Sequence, residues 1–530
     1  MGFTKIWRNK ANRIWLLTFV SCFLLLVFGI FAVHKTRAYT SDDVIIQTVM
    51  HQHTHLVGQG TAWLGEDNYF FKLPYYLIVN GLFTNSRKIL LLTALLFNIG
   101  GLLTFFYSSL YFFKRFKLKQ TSYTLALIWL FSLTFSLATI FLINPNLRNL
   151  EIGISFVILM LIARYTDGEL AFNTTLRRFI LLSLALAMGL FLYSDPFFVY
   201  MLLFPLLVFL SLRLFFGKFD KRLVRAIGFL FASAILMVGW HKFAAMFHIN
   251  NRHVETSFVT ISQFWQTADQ AFRSYFTIFG ASFWGHNFWS IATFSYLLNC
   301  CLMLVGIITP LVLVVNKKLR PKDTWLIFWL IQPLFVTSLY VLSTNTALNL
   351  KNTGAIRFFV LVPFYFPVIL ATAYKRLPNQ RVRLAFVLVT VTAIVLNTGR
   401  IFSHSVDTPP VRPNTQNYQV VEALEHEGLN KGYAGYWESS INTYLSNNHV
   451  NVIPTNNCSE IQHLLMDDKA VLIHEQKSYY IYNPEFAENC SQAGLVSNFG
   501  IPNKIVKAGA DLVYIYNYDI TIKMTNGYFR

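Results

Sequence analysis

The sequence predicts a polytopic α-helical membrane protein, with about eleven transmembrane helices and a C-terminal external α/β domain. Across 530 residues, 55% are apolar and 17% aromatic while only 13% are charged. Mean hydropathy is +0.46, a balance suited to a lipid environment. Apolar runs of spanning length recur from residue 14 to residue 402, and the pattern then gives way to a polar tail. The formal charge of +19 does not point to nucleic acid, because the basic residues sit in short clusters between apolar runs, as cytoplasmic loops do.

The first run, Ile14 to Val33, follows Lys5, Arg8, Lys10 and Arg13. It is longer than a signal-peptide core and lacks a small-x-small cleavage site before His34, so it reads as a helix with its N-terminus in the cytoplasm. Further spans are expected near 89–113, 123–143, 150–163, 178–192, 197–216, 226–243, 287–316, 324–342, 357–374 and 384–402. The run 150–163 is the shortest, and charge tests it. Connections 114–120, 164–178, 217–225, 317–323 and 375–383 each carry three or four Lys or Arg. All five fall on the cytoplasmic side only if 150–163 crosses. Eleven crossings then place residues 34–88 and 404–530 outside, in a protein integral to the plasma or endoplasmic reticulum membrane.

Residues 1–403 therefore form a transmembrane domain that includes the external loop 34–88 and a Trp- and Phe-rich segment, 244–286, expected to lie in the interface. Residues 404–530 form an external accessory domain. After "DTPPVRPN", the stretch "YQVVEALEHEGL" has helical spacing and stops near Gly428. The runs "KGYAGYW", "HVNVIPT", "KAVLIH", "SYYIYN" and "DLVYIYNY" read as strands. Cys22, Cys300 and Cys301 lie in apolar spans, whereas Cys458 and Cys490 both lie in the tail and are expected to pair in an exported domain of this size.

Ionisable chemistry concentrates in the first external loop. In "RAYTSDDVIIQTVMHQHTH" a helix from about Ser41 puts Val44, Ile45, Ile46, Val49 and Met50 on one side and Asp43, Gln47, His51 and His55 on a polar, wetted face. Ser41 or Asp42 would cap this helix. The stretch "WLGEDNYFFKLPYYLIVNGLF" adds Glu66, Asp67 and Lys72 as the chain re-enters the membrane. A positioned carboxylate can activate a hydroxyl as general base, and a lysine can stabilise a departing phosphate or simply snorkel to the headgroups. His51 with His55 has zinc-like spacing, and Asp43 with Glu66 or Asp67 would suit a divalent ion with oxygen ligands, so a divalent metal is a candidate cofactor. Asp195, at the hairpin tip "YSDPFF", and Arg357 are further candidates, each with an ordinary turn or interfacial role as the alternative.

An acidic pair after the first span, a long loop ending in the K-x-P-x-Y of Lys72, Pro74 and Tyr76, the tip "YSDPFF" and "RFFVLVPFYFPVIL" from Arg357 resemble the GT-C superfamily of membrane glycosyltransferases. The chain is most similar to the protein O-mannosyltransferase and lipid A aminoarabinose transferase branch, over roughly residues 10–400. The resemblance implies transfer of a sugar from a polyprenyl-phosphate donor to an external glycan, lipid or protein acceptor. Asp42 and Asp43 match the family's acidic pair, which supplies the base, and Lys72 matches a lysine that grips the lipid phosphate. The pair is Asp-Asp where Asp-Glu is common, Pro74 stands alone where the family doubles it, and Asp195 stands where relatives often have lysine. A polyprenyl-linked glycan ligase or polymerase is an alternative, expected to gather its groups in a late external loop. A transporter would carry ionisable residues within its spans, and these spans read as holding almost no internal charge; the remaining alternative is a scaffold.

Overall fold

The computed structural model describes residues 10–57, 61–64, 70–137, 142, 148–170, 174–217, 219–251, 257–315, 324–343, 359–407, 413–462, 466–484 and 490–526. Among them, eight helices are long and apolar enough to cross a membrane: Ala11–His34, Arg87–Arg115, Asn149–Thr166, Val199–Phe216, Lys221–Met246, Ile291–Leu313, Thr324–Leu342 and Gln380–His404. Helices Gln120–Ser132, Thr174–Ser194 and Val362–Arg376 occupy the other three expected stretches.

The stretch that hydropathy makes weakest is a helix of 18 residues, Asn149–Thr166. It packs tightly on Arg87–Arg115 through a pair of glycines. A side chain at Gly101 would lie 2.4 Å from the Asn149 carbonyl, and one at Gly153 would lie 2.5 Å from the Gly101 carbonyl. Only a missing Cβ allows this approach, which fixes the N-terminal end of the helix against its neighbour.

The two ends of the helical body differ in chemistry. At one end the described basic connections meet: Arg115 and Arg213 pair with Asp167, Arg164 lies 3.7 Å from Glu169, the Arg222 guanidinium lies beside Gly168, and Lys375 donates to the Lys117 carbonyl; connection 317–323 lies outside the described residues. At the other end the first loop, the segment after Met246 and the tail are joined. The strands are β1 (Ala62–Leu64), β2 (Ile249–Asn251), β3 (Lys431–Gly435), β4 (Asn451–Thr455), β5 (Glu460–Ile461), β6 (Met466–Asp467), β7 (Ser478–Tyr482), β8 (Lys504–Ala508), β9 (Asp511–Tyr516) and β10 (Thr525–Asn526). A small sheet of order β2-β1-β6 takes one strand from each of those three segments. The interfacial segment forms a helix, Ile261–Ile278, that leaves Ile261, Trp265 and Phe272 exposed on one face.

The C-terminal domain bears a seven-stranded mixed sheet of order β10-β5-β4-β3-β7-β9-β8. Its first helix, Thr415–His426, ends where Gly428 takes a positive φ of 64°. "KAVLIH" is not a strand: Asp467 accepts from the Lys469 N–H and starts a 3₁₀ turn, Asp468–Leu472. A strand was instead hidden in the mostly exposed "KIVKA", Lys504–Ala508. Cys458 and Cys490 form a disulfide with Cα atoms 4.9 Å apart.

Candidate functional site

The re-entry into the membrane begins with a 3₁₀ turn, Phe70–Lys72, followed by helix Leu73–Leu82 with Pro74 in its first turn. Lys72 is thereby carried inward and is buried. Its Nζ lies 2.8 Å from Glu151 Oε1 and donates to Asn149 Oδ1 at 3.2 Å. The ammonium also sits 4.8 Å from the Phe97 ring centre. Beside it, Arg148 donates through Nε to Asp195 at 2.6 Å and through a terminal nitrogen at 3.0 Å, a two-pronged pairing that fixes both groups. Asp195 also accepts from the Phe197 N–H at 3.2 Å, so one carboxylate shapes the hairpin turn and holds the arginine. All four side chains are buried, two cations against two carboxylates.

Arg148, Asn149 and Glu151 were missed in the sequence. A signal was present: a glutamate inside a spanning run is costly unless paired, and "NLRNLEIGI" places Glu151 one turn after an arginine. The reading that the spans hold almost no internal charge is corrected by this network.

The second cluster lies at the head of the first-loop helix, Ser41–His51. Its N-cap is Thr40 rather than Ser41 or Asp42, which makes Asp43 the third helical residue. Asp43 Oδ2 accepts from the Thr40 N–H at 2.7 Å, completing a capping box, and Arg37 lies 3.6 Å from Oδ1. Asp43 is therefore fully buried and occupied with the backbone, and its polar face is not wetted: Gln47 is 1% exposed. Burial raises the Asp43 carboxyl above the usual carboxylate range, against the lowering by Arg37 and Thr40. Asp42 is half-buried and accepts from the Tyr436 hydroxyl of the C-terminal domain.

The reason the face is covered is that helix Tyr436–Leu445 docks on it. Ser41 Oγ donates to the Trp437 carbonyl at 3.0 Å, and the Ile441 N–H donates back to Ser41 Oγ at 3.3 Å. Further along, Gln52 donates to Asn451 at 2.8 Å. Apolar contacts among Ile45, Ile46, Val49, Tyr76 and Phe97 connect this helix to the helix after Lys72. The two charged clusters thus border one apolar core, but their ion pairs are separate.

After His51 the helix changes to a π-helical turn, Gln52–Val57, which alters the spacing on which a His51–His55 metal pair depended. His53 is engaged instead, with Nδ1 2.7 Å from Asp467 and Nε2 3.0 Å from the Phe247 carbonyl. Among the described residues no three His, Cys, Asp or Glu side chains converge as a metal site. Glu66, Asp67 and Arg357 lie outside the described residues.

No family model matches the chain, and no curated protein matches it either. Among solved structures, the crystal structure of ArnT from Cupriavidus metallidurans in the apo state is similar, with a TM-score of 0.55. The likeness covers 96% of this chain and 99% of that one at 11% identity. At that identity it is a likeness of fold alone: an ArnT-type arrangement of helices and C-terminal domain.

Proposed function

We propose that the chain is a glycosyltransferase that moves a sugar from a polyprenyl-phosphate donor to an acceptor outside the membrane, with the basic end of the helical body in the cytoplasm. The observation that carries this reading is the pairing of two features beside one apolar core under the C-terminal domain: a half-buried carboxylate, Asp42, and buried cations, Lys72 and Arg148. Fold likeness along nearly the whole chain supports the same class.

In this reading Asp42 takes the proton of the acceptor hydroxyl, and the Tyr436 hydroxyl orients it. As general base it contributes about 10²–10⁴-fold. The donor phosphate exchanges with Glu151 as the partner of Lys72, and the cation stabilises charge as the sugar–phosphate bond breaks. Asp43 holds the helix that presents Asp42. In the same reading Arg357 is a second phosphate contact, Glu66 and Asp67 are further acids, and a divalent ion assists them.

A transporter gains from the same buried charges, which is where such proteins place them. The docking of the C-terminal domain on the acidic pair favours the transferase. Sugar release from a polyprenyl-phosphate donor by purified protein in nanodiscs is the test. Wild type should turn over, and Lys72→Gln, which keeps a donor toward Glu151, should lose donor affinity and rate together. An inert wild type with any of several donor sugars would sink the reading.

A further inference from the structure

Away from both charged clusters, the C-terminal sheet holds a narrow polar cleft. Strands β4, β3 and β7 run parallel, with β3 between the other two. The chain leaves β3 first for β4 on one side and later reaches β7 on the other. Such a reversal opens a crevice at the carboxyl ends of the strands, the usual place for a ligand in open parallel sheets. The cleft lies there, with Trp437 and Glu438 following β3, Thr455 and Asn457 at β4, and Tyr482 and Asn483 at β7.

Its chemistry is specific. Glu438 is 8% exposed and accepts from Asn417 at 2.9 Å and Asn483 at 3.2 Å. Trp437 is 38% exposed at the rim. Among the described residues that line the cleft there is no lysine or arginine, so a buried carboxylate faces whatever enters and an anion is disfavoured. The cleft is small, about 30 Å³, enough for a hydroxyl or hydroxymethyl group but not for a nucleotide.

We propose that this cleft binds a neutral sugar ring, which lays a C–H face on Trp437 and lowers one hydroxyl toward Glu438 and Asn483. Aromatic rings offer apolar area with a wet edge, and amides with a carboxylate satisfy hydroxyls in both directions. The place of the cleft gives it a use. Helix Tyr436–Leu445, whose first turn walls it, also holds the acidic pair, through Tyr436 on Asp42 and Ser41 on the Trp437 carbonyl. Resting on the transferase reading, the cleft names the acceptor as a glycan.

The test is titration of the full chain in nanodiscs with methyl α-mannoside, methyl β-galactoside and N-acetylglucosamine, read by saturation-transfer NMR. At least one should saturate, Trp437→Ala should weaken it tenfold or more, and Trp437→Phe should keep most of the affinity. Failure of all three sugars to saturate wild type, or equal binding by Trp437→Ala, overturns the site. Saturation that survives in a protein unable to turn over any polyprenyl donor supports the cleft and removes the transferase reading alone.

Discussion

Around Lys72 the charges meet side chain to side chain, Lys72 on Glu151 and Arg148 on Asp195, sealed between helices. At the head of Ser41–His51 one carboxylate, Asp43, is bound to the backbone of its own helix, and its neighbour Asp42 is bound across to another domain. Both arrangements contain buried or half-buried acids, yet the groups differ in what they hold in place. The Lys72 network ties transmembrane segments together, and losing one member strands its partner in an apolar setting. The acidic pair divides labour: one residue builds the helix, and the other is left at the junction with the C-terminal domain. Adjacency in sequence thus says little about equivalence of role.

The comparison breaks most visibly at Glu151. Glu151→Ala leaves the Lys72 ammonium without its carboxylate, and an unpaired buried charge typically costs about 3–5 kcal/mol. Thermal unfolding in nanodiscs should show the lowest midpoint of any single variant here, with much of the loss recovered in Lys72→Met with Glu151→Leu. A double variant no better than Glu151→Ala would mean that the pair does more than balance charge.

A second prediction concerns pH and the C-terminal domain. Burial raises the Glu438 carboxyl to about 7 from the usual 4.5, opposed by bonds from Asn483, Asn442 and Asn417. The native state therefore holds its proton more tightly than the unfolded chain. The associated stability is fully present below about pH 4.5 and is lost as pH rises through about 7, a change on the order of 3 kcal/mol. Denaturation followed from pH 4.5 to 8 should show this decline in wild type and a flatter profile in Glu438→Gln. Parallel profiles would assign the pH dependence elsewhere. The smallest effect is expected at the cap: Thr40→Ala should cost about 1 kcal/mol, since it removes a hydroxyl but keeps the backbone bond to Asp43.

Much of the large-scale order was legible in the sequence. Hydropathy located eight helices long and apolar enough to cross a membrane, and the described basic connections gather at one end, because charge that must stay out of lipid leaves a pattern in a single chain. Lys72 stood out through its place before Pro74. Its partners did not, because Glu151 is 79 residues away (151 minus 72) and hydropathy averages one charge into an apolar run. The cap of the first-loop helix was misplaced for a simpler reason. The helix does start at Ser41, but its cap is the residue before, Thr40, rather than Ser41 or Asp42, so the box runs from Thr40 to Asp43. The docking of helix Tyr436–Leu445 has no local signature at all. It depends on complementarity between segments nearly 400 residues apart, such as Ser41 and Trp437.

The division of labour between the two aspartates is tested most directly by measuring transfer rate and thermal midpoint together in Asp42→Asn and Asp43→Asn. Asp42→Asn should keep the wild-type midpoint, to within the loss of one hydrogen bond, and lose on the order of 10²-fold or more in transfer rate. Asp43→Asn should lower the midpoint through its weakened cap and lost Arg37 pairing, with the smaller loss of rate. The reverse pattern, an inactive but stable Asp43→Asn beside an active Asp42→Asn, would contradict the account.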